Sequence, residues 1–219
     1  MMNLRGIFDF DRTVSERLFE SVDYPWEALD LLCEYIMRVG ASLKKESYRQ
    51  ERAGIWIAKS AQVDEGAKLH GPMIIGEESR VDGSAYLRGG VIVGKECIIG
   101  NNSEIKNSVL FDGAEIPHYN YIGDSFIGYK VQLGMGAVIS NLRADRREII
   151  CSLGAEKINS GRKRLGAIVG DYAQIGCSAI ISPGTVISRN ARIQPLTRVR
   201  GFVAEGSVYR GESIVADIL

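Results

Sequence analysis

Between Ile57 and Val199 an aliphatic residue recurs at every sixth position. The series runs Ile57, Val63, Leu69, Ile75, Val81, Leu87, Val93, Ile99 and Ile105. After a one-residue contraction it continues Leu110, Ile116 and Ile122, and after a second, Ile127, Leu133 and Ile139. It resumes at Val169, Ile175, Ile181, Ile187, Ile193 and Val199. In sixteen of these twenty-one repeats a small residue, such as Ala61, Ser79, Cys97 or Ala137, stands two positions earlier. A period of six matches neither the 3.6 of a helix nor the alternation of an ordinary strand. It predicts a solenoid in which each hexapeptide makes one short strand and one corner. The aliphatic side chain points inward and the small one sits where the backbone turns. Three hexapeptides close one triangular coil, so the twenty-one repeats predict a mainly β fold of about seven coils.

The flanks read differently. In residues 1–50, Leu18, Phe19 and Val22 form an apolar cluster, and Pro25 suits a first helical turn. Trp26, Leu29, Leu32, Ile36 and Val39 then recur at helical spacing, with Gly40 as the expected stop. This short helical connector is expected to cap the open end of the solenoid. The solenoid itself is expected over 51–210, with a C-terminal tail at 211–219. Residues 140–166 interrupt the repeat with a charged arm, in which Arg147-Glu148-Ile149-Ile150-Cys151 before Gly154 reads as one side of a hairpin. Long excursions from a rigid scaffold tend to carry function, and a basic arm suits phosphorylated ligands.

Composition narrows the class. With 45% hydrophobic residues the core is ample, and the formal net charge of zero implies no broad attraction to nucleic acid or anionic membrane. No apolar run is long enough to span a bilayer, and Met1 to Phe10 does not read as a signal peptide. Cys33, Cys97, Cys151 and Cys177 lack metal-ligand spacing, so reduced thiols in a cytoplasmic protein without a bound metal are expected.

The candidate chemistry clusters. One of only two histidines, His118, sits in Ile116-Pro117-His118-Tyr119-Asn120-Tyr121-Ile122-Gly123-Asp124, beside a contraction of the repeat. Arg88 and Lys106 each follow directly after an inward residue and lie eighteen positions apart, one coil turn, on the same outer face. Two cations ~5 Å apart repel unless an anion bridges them, and a phosphate is one candidate. The structural alternative is an external glutamate ladder, with Glu104 nearby.

These residues carry a resemblance. The stretch from Ala85-Tyr86-Leu87-Arg88 through Glu104-Ile105-Lys106 and the His118 segment to Asn141-Leu142-Arg143 resembles the acetyltransferase half of the bifunctional glucosamine-1-phosphate N-acetyltransferase/N-acetylglucosamine-1-phosphate uridylyltransferases. The spacing from Arg88 to Asn141 matches without gaps. Asn159-Ser160-Gly161-Arg162-Lys163-Arg164-Leu165-Gly166-Ala167 looks like the archaeal sugar-1-phosphate nucleotidylyltransferase/acetyltransferases, as does the Tyr24-Pro25-Trp26-Glu27 connector. The resemblance implies a left-handed parallel β-helix, usually trimeric, with sites at subunit boundaries. It implies acetyl-CoA as acyl donor, an amino sugar phosphate such as glucosamine-1-phosphate as acceptor, and a place in UDP-N-acetylglucosamine biosynthesis. His118 would be the general base. Arg88 and Lys106 would hold the phosphate, and Tyr121 and Asn141 would orient the sugar. Met135, Cys177 and Pro195 would line the acetyl-CoA groove; at Cys177 the bacterial relatives commonly carry serine. Fifty residues ahead of the repeat are too few for a nucleotide-binding domain, so uridylyltransferase activity is not expected. Two other readings stay open: acyl transfer to a different amino sugar, and a non-catalytic β-helix that assembles with a separate nucleotidylyltransferase.

Overall fold

The computed structural model describes residues 4–154, 156–211 and the backbone of 214–215. The hexapeptides wind into a three-faced parallel β-helix. The first face stacks Ile55–Ala58, Met73–Ile75, the second halves of Tyr86–Val93 and Glu104–Leu110, Phe126–Ile127, Ala167–Val169, Thr185–Ile187 and Phe202–Val203. The second face stacks Gln62–Val63, Arg80–Val81, Ile98–Ile99, Glu115–Ile116, Gln132–Leu133, Gln174–Ile175, Arg192–Ile193 and Val208–Tyr209. The third face stacks Lys68–His70, the first halves of Tyr86–Val93 and Glu104–Leu110, Tyr121–Gly123, Val138–Ile139, Ile180–Ile181 and Arg198–Val199.

Among the described residues this makes eight rungs on each of the first two faces and seven on the third, rather than seven coils throughout. The difference lies at the C-terminal end. The step from Val199 to the next inward residue, Val203, is only four positions, because the chain turns sharply at Gly201 with φ 81°. Val203 and Tyr209 continue the buried ladder that a strict six-residue count ends at Val199. The tail expected at 211–219 lies largely outside the described residues; within it, the backbone of Ile214–Val215 pairs antiparallel with Val208–Tyr209.

The inward residues of every rung form one core, with Ile75, Leu87, Ile105, Ile122, Ile139 and Val199 fully buried. Each such side chain contributes on the order of 2 kcal/mol, an upper estimate for burial from an extended chain. The small positions are buried too, and several hydroxyls there satisfy corner backbone. The Ser125 hydroxyl, for example, donates to the Gly123 carbonyl at 2.7 Å and accepts from the Ala167 N–H at 3.0 Å.

The first face is apolar on both sides. Trp56, Ile74, Ile92, Val109, Phe126, Ile168 and Val186 point away from the core, yet all are buried. Strands buried on both sides read as continuous hydrophobic runs, and Ile55-Trp56-Ile57 and Met73-Ile74-Ile75 do so. The outer layer that covers them is the N-terminal region and the arm. The helix α1 (Ala28–Ser42) packs across three successive rungs with Leu29, Leu32 and Ile36 buried. Ahead of it the Glu27 carboxylate accepts the Asp23 and Tyr24 N–H groups at 2.9 and 3.1 Å. The expected end cap is therefore a side cover. The first edge of the solenoid is closed instead by Tyr48–Arg52, which pairs antiparallel with Ile55–Ala58. Gly40 does not stop α1, which continues to Ser42. Glycine is needed there because a Cβ would lie 2.2 Å from the Trp56 ring.

Phe8, Phe10 and Phe19 extend the cover, packing on Phe111 with ring centroids 4.9, 6.0 and 6.4 Å away. The buried Asp171 carboxylate pins this segment by accepting the Asp9 N–H at 2.7 Å, the Tyr129 N–H at 2.8 Å and the Arg189 guanidinium at 2.6 Å. Burial pushes the Asp171 carboxyl up, against the pull of these donors.

Candidate active site

Two corners of the prism carry the residues singled out by the sequence. The first joins the second face to the third. Here the Tyr119 N–H bonds to the Asn101 carbonyl, Gly136 to His118, Ser178 to Met135 and Leu196 to Cys177, at 2.9 to 3.0 Å. These bonds form one ladder up the corner. Asn101, His118, Met135, Cys177 and Pro195 occupy equivalent places in successive coils, each followed by a residue with positive φ: Asn102, Tyr119, Gly136, Ser178 and Leu196. The fold thus aligns His118 with Met135, Cys177 and Pro195 on a single edge, although they lie far apart in sequence.

The His118 turn is braced from beneath. The buried Asn120 side chain accepts the His118 N–H at 3.0 Å and donates to the Gly134 and Ala137 carbonyls at 2.8 and 3.1 Å. The imidazole itself is exposed. This corner has the ordinary length; the contraction near His118 belongs to the next corner.

That second corner joins the third face to the first. Shortening places Asn107 and Asp124 alone at their bends, with φ 47° and 48°. Asp124 is the hub. Its nearly buried carboxylate accepts Lys106 Nζ at 3.1 Å and Asn107 Nδ2 at 2.9 Å, and it also accepts the Asn141 amide. Tyr121 is hydrogen-bonded to Asn141, and burial raises its hydroxyl pKa, so Tyr121 remains a neutral phenol. Gly123 fits beneath this pair, since a Cβ there would come within 2.6 Å of Asn141 Nδ2 and 2.7 Å of the Tyr121 oxygen.

Arg88 and Lys106 are directly paired across adjacent rungs. The expected glutamate pairs with Arg88 only; an aspartate, not foreseen, pairs with Lys106. Arg88 Nε lies 2.7 Å from Glu104, which raises the guanidinium pKa, and Lys106 pairs with Asp124. Repulsion between the two cations is therefore already relieved without a ligand.

The comparisons with known proteins bear on this region. A family profile described as GMPPB C-terminal domain matches residues 69–161. A bifunctional sugar-1-phosphate nucleotidylyltransferase/acetyltransferase from Sulfurisphaera tokodaii is 39% identical over 107 residues, covering 49% of this chain and 27% of the relative. The bifunctional protein GlmU of Methanococcus maripaludis is 36% identical over 116 residues, covering 52% and 28%. The repeat region of this chain is similar to part of these bifunctional relatives. The chain spans about a quarter of the length of these relatives. Among solved structures, the acetyltransferase domain of PglB from Neisseria gonorrhoeae, in complex with acetyl coenzyme A, aligns at 15% identity and a TM-score of 0.41, covering 74% of this chain and 57% of that one.

The arm leaves the corner between the third and first faces after Ile139 and returns at Ala167. Its hairpin forms as expected, Ile150–Leu153 pairing antiparallel with Glu156–Asn159. Ile149, Cys151 and Leu165 anchor it on Ile168 and Val186 of the first face. Arg162 reaches α1, 2.5 Å from Asp30. Between arm and third face runs a groove of about 1000 Å³, lined by Ser140, Ile150, Ile180 and the cations Lys157, Arg198 and Arg200. Asp124, Asn107 and Asn120 are the residues that sequence reasoning left without a role. The signal for the first two was the contraction itself, which puts a hydrogen-bonding side chain alone at a tight bend.

Proposed function

We propose that this protein transfers an acetyl group from acetyl-CoA to the amine of an amino sugar that carries a phosphate, with glucosamine-1-phosphate the acceptor named by the family resemblance. The observation that carries this reading is the corner ladder. It sets His118 in line with Met135, Cys177 and Pro195, and on the rung of Tyr121. A donor extended along that edge brings its thioester to an acceptor amine held over the third face.

Acetyl-CoA supplies the activated acetyl group; the chain supplies position and proton transfer. His118 removes the proton from the attacking amine, and its exposed ring leaves room for that approach. Asn120 holds the turn that presents it. Tyr121 and Asn141, tied to each other and to Asp124, orient the sugar. Lys106 and Arg88 contact its phosphate. The groove beside the arm suits the anionic end of the donor, because Lys157, Arg198 and Arg200 border its apolar floor of Ile150 and Ile180. The relatives' joint names place nucleotidyl and acetyl transfer in the same polypeptide, which supports a role in nucleotide-sugar supply. A homotrimer, with the arm serving a neighbouring site, fits the same reading.

The test is release of CoA thiol from acetyl-CoA in the presence of glucosamine-1-phosphate, for the native protein and His118→Ala. Loss of a general base lowers kcat by about 10²- to 10⁴-fold. An unchanged rate in the variant would remove His118 from the chemistry.

A further inference from the structure

The charge balance of the third face does not match a monophosphate bound only by Arg88 and Lys106. Glu104 neutralises the first and Asp124 the second, so these four side chains sum to zero. One rung further from His118 lie Lys68, a lysine unpaired among the described residues, and the exposed His70. His70 pairs in register with Arg88, and Arg88 with Lys106, so His70, Arg88 and Lys106 form a row along three successive rungs. Lys68 starts the parallel row through Tyr86 and Glu104. Both Lys68 and His70 are exposed, and neither side chain has an ion-pair partner among the described residues. Tyr86 organises the group: the His70 ring stands edge-on to it at 5.5 Å, and the Arg88 guanidinium lies 5.7 Å from its centroid. This end of the third face is open, since α1 and the arm both lie over the first face.

We propose that His70 and Lys68 form a second phosphate position, so that the acceptor is an amino sugar bearing a diphosphate at its anomeric carbon rather than a monophosphate. The inference rests on the acetyltransferase reading above and refines its acceptor. Rungs are ~4.8 Å apart, so a sugar amine at His118 puts the first phosphate over Lys106 and Arg88 and the second over Arg88 and His70. Lys68, without an ion-pair partner among the described residues, then meets the added negative charge.

The test compares kcat/KM for glucosamine-1-phosphate, UDP-glucosamine and a short prenyl diphosphate of glucosamine, in the native protein and in His70→Ala, Lys68→Ala and the double variant. The expected result is about a tenfold preference for the diphosphates, falling toward unity in the double variant. The better of the two diphosphates identifies nucleoside or lipid as the carrier. Equal kcat/KM for mono- and diphosphate, or a preference untouched by the substitutions, overturns the second position while leaving acetyl transfer standing. If no acceptor turns over, the acetyltransferase reading fails, and calorimetry of inorganic pyrophosphate against inorganic phosphate still decides the site. About tenfold tighter pyrophosphate binding that disappears in the double variant supports it; equal affinities overturn it.

Discussion

At the scale of single residues, the account turns on what each carboxylate and thiol touches. Asp124 gathers Lys106 and Asn107 from one neighbouring coil and Asn141 from the other, so its removal leaves a lysine and two amides without their acceptor. Asp124→Ala is expected to raise the acceptor KM at least tenfold, to leave the acetyl-CoA KM within about twofold, and to cost about 2 kcal/mol of stability. Parallel rises in both KM values would make Asp124 merely structural. The cysteines give a second check. Burial pushes the thiols of Cys97 and Cys151 up to about 12, whereas Cys33 and Cys177 are exposed. A thiol reagent should therefore modify two cysteines in the folded protein. Acetyl-CoA should slow labelling of Cys177, on the corner ladder, and leave Cys33, on α1, unprotected. Spacing put Arg88 and Lys106 on one outer face, while the roles of His118, Tyr121, Asn141, Met135, Cys177 and Pro195 came from the family resemblance. The sequence could not show that Arg88 and Lys106 are already neutralised, because that depends on which side chains share a rung edge.

At the scale of elements, the six-residue period placed almost every strand, because one inward aliphatic per rung is a geometric necessity of a three-sided coil. It failed where the step changes, at Gly201, and it says nothing about outward side chains. The second apolar layer on the first face was legible in runs such as Val91-Ile92-Val93. Without that layer, α1 had no obvious surface to cover except the open end. Gly40 makes the true arrangement testable. Alanine at a helical position ordinarily gains about 1 kcal/mol over glycine. Here the added Cβ meets the Trp56 ring, so Gly40→Ala is expected to lower stability by about 1 to 3 kcal/mol in urea unfolding. A stabilised variant would mean that α1 does not pack on Trp56. Likewise Asp171→Ala strands two backbone N–H groups and Arg189, and should cost about 3 kcal/mol while exposing residues 4–24 to limited proteolysis.

At the scale of the molecule, the solenoid is a ruler. It sets one edge with His118, Met135, Cys177 and Pro195 beside a face with Lys106, Arg88 and His70, and it closes the opposite surface under α1, the N-terminal aromatics and the arm. In the proposed reaction, donor and acceptor approach one rung from two directions. The central claim is that an acetyl group crosses from thioester to amine at that rung. Its most direct test is to incubate the protein with acetyl-CoA labelled with ¹³C in the acetyl group and with amino sugar phosphates, mono- and diphosphate, and to follow the carbonyl signal by NMR. The account predicts conversion of the thioester resonance into an N-acetyl amide with the native protein, and at least a hundredfold slower conversion with His118→Ala. A thioester signal that persists with every acceptor, in native protein that still binds acetyl-CoA, would contradict it.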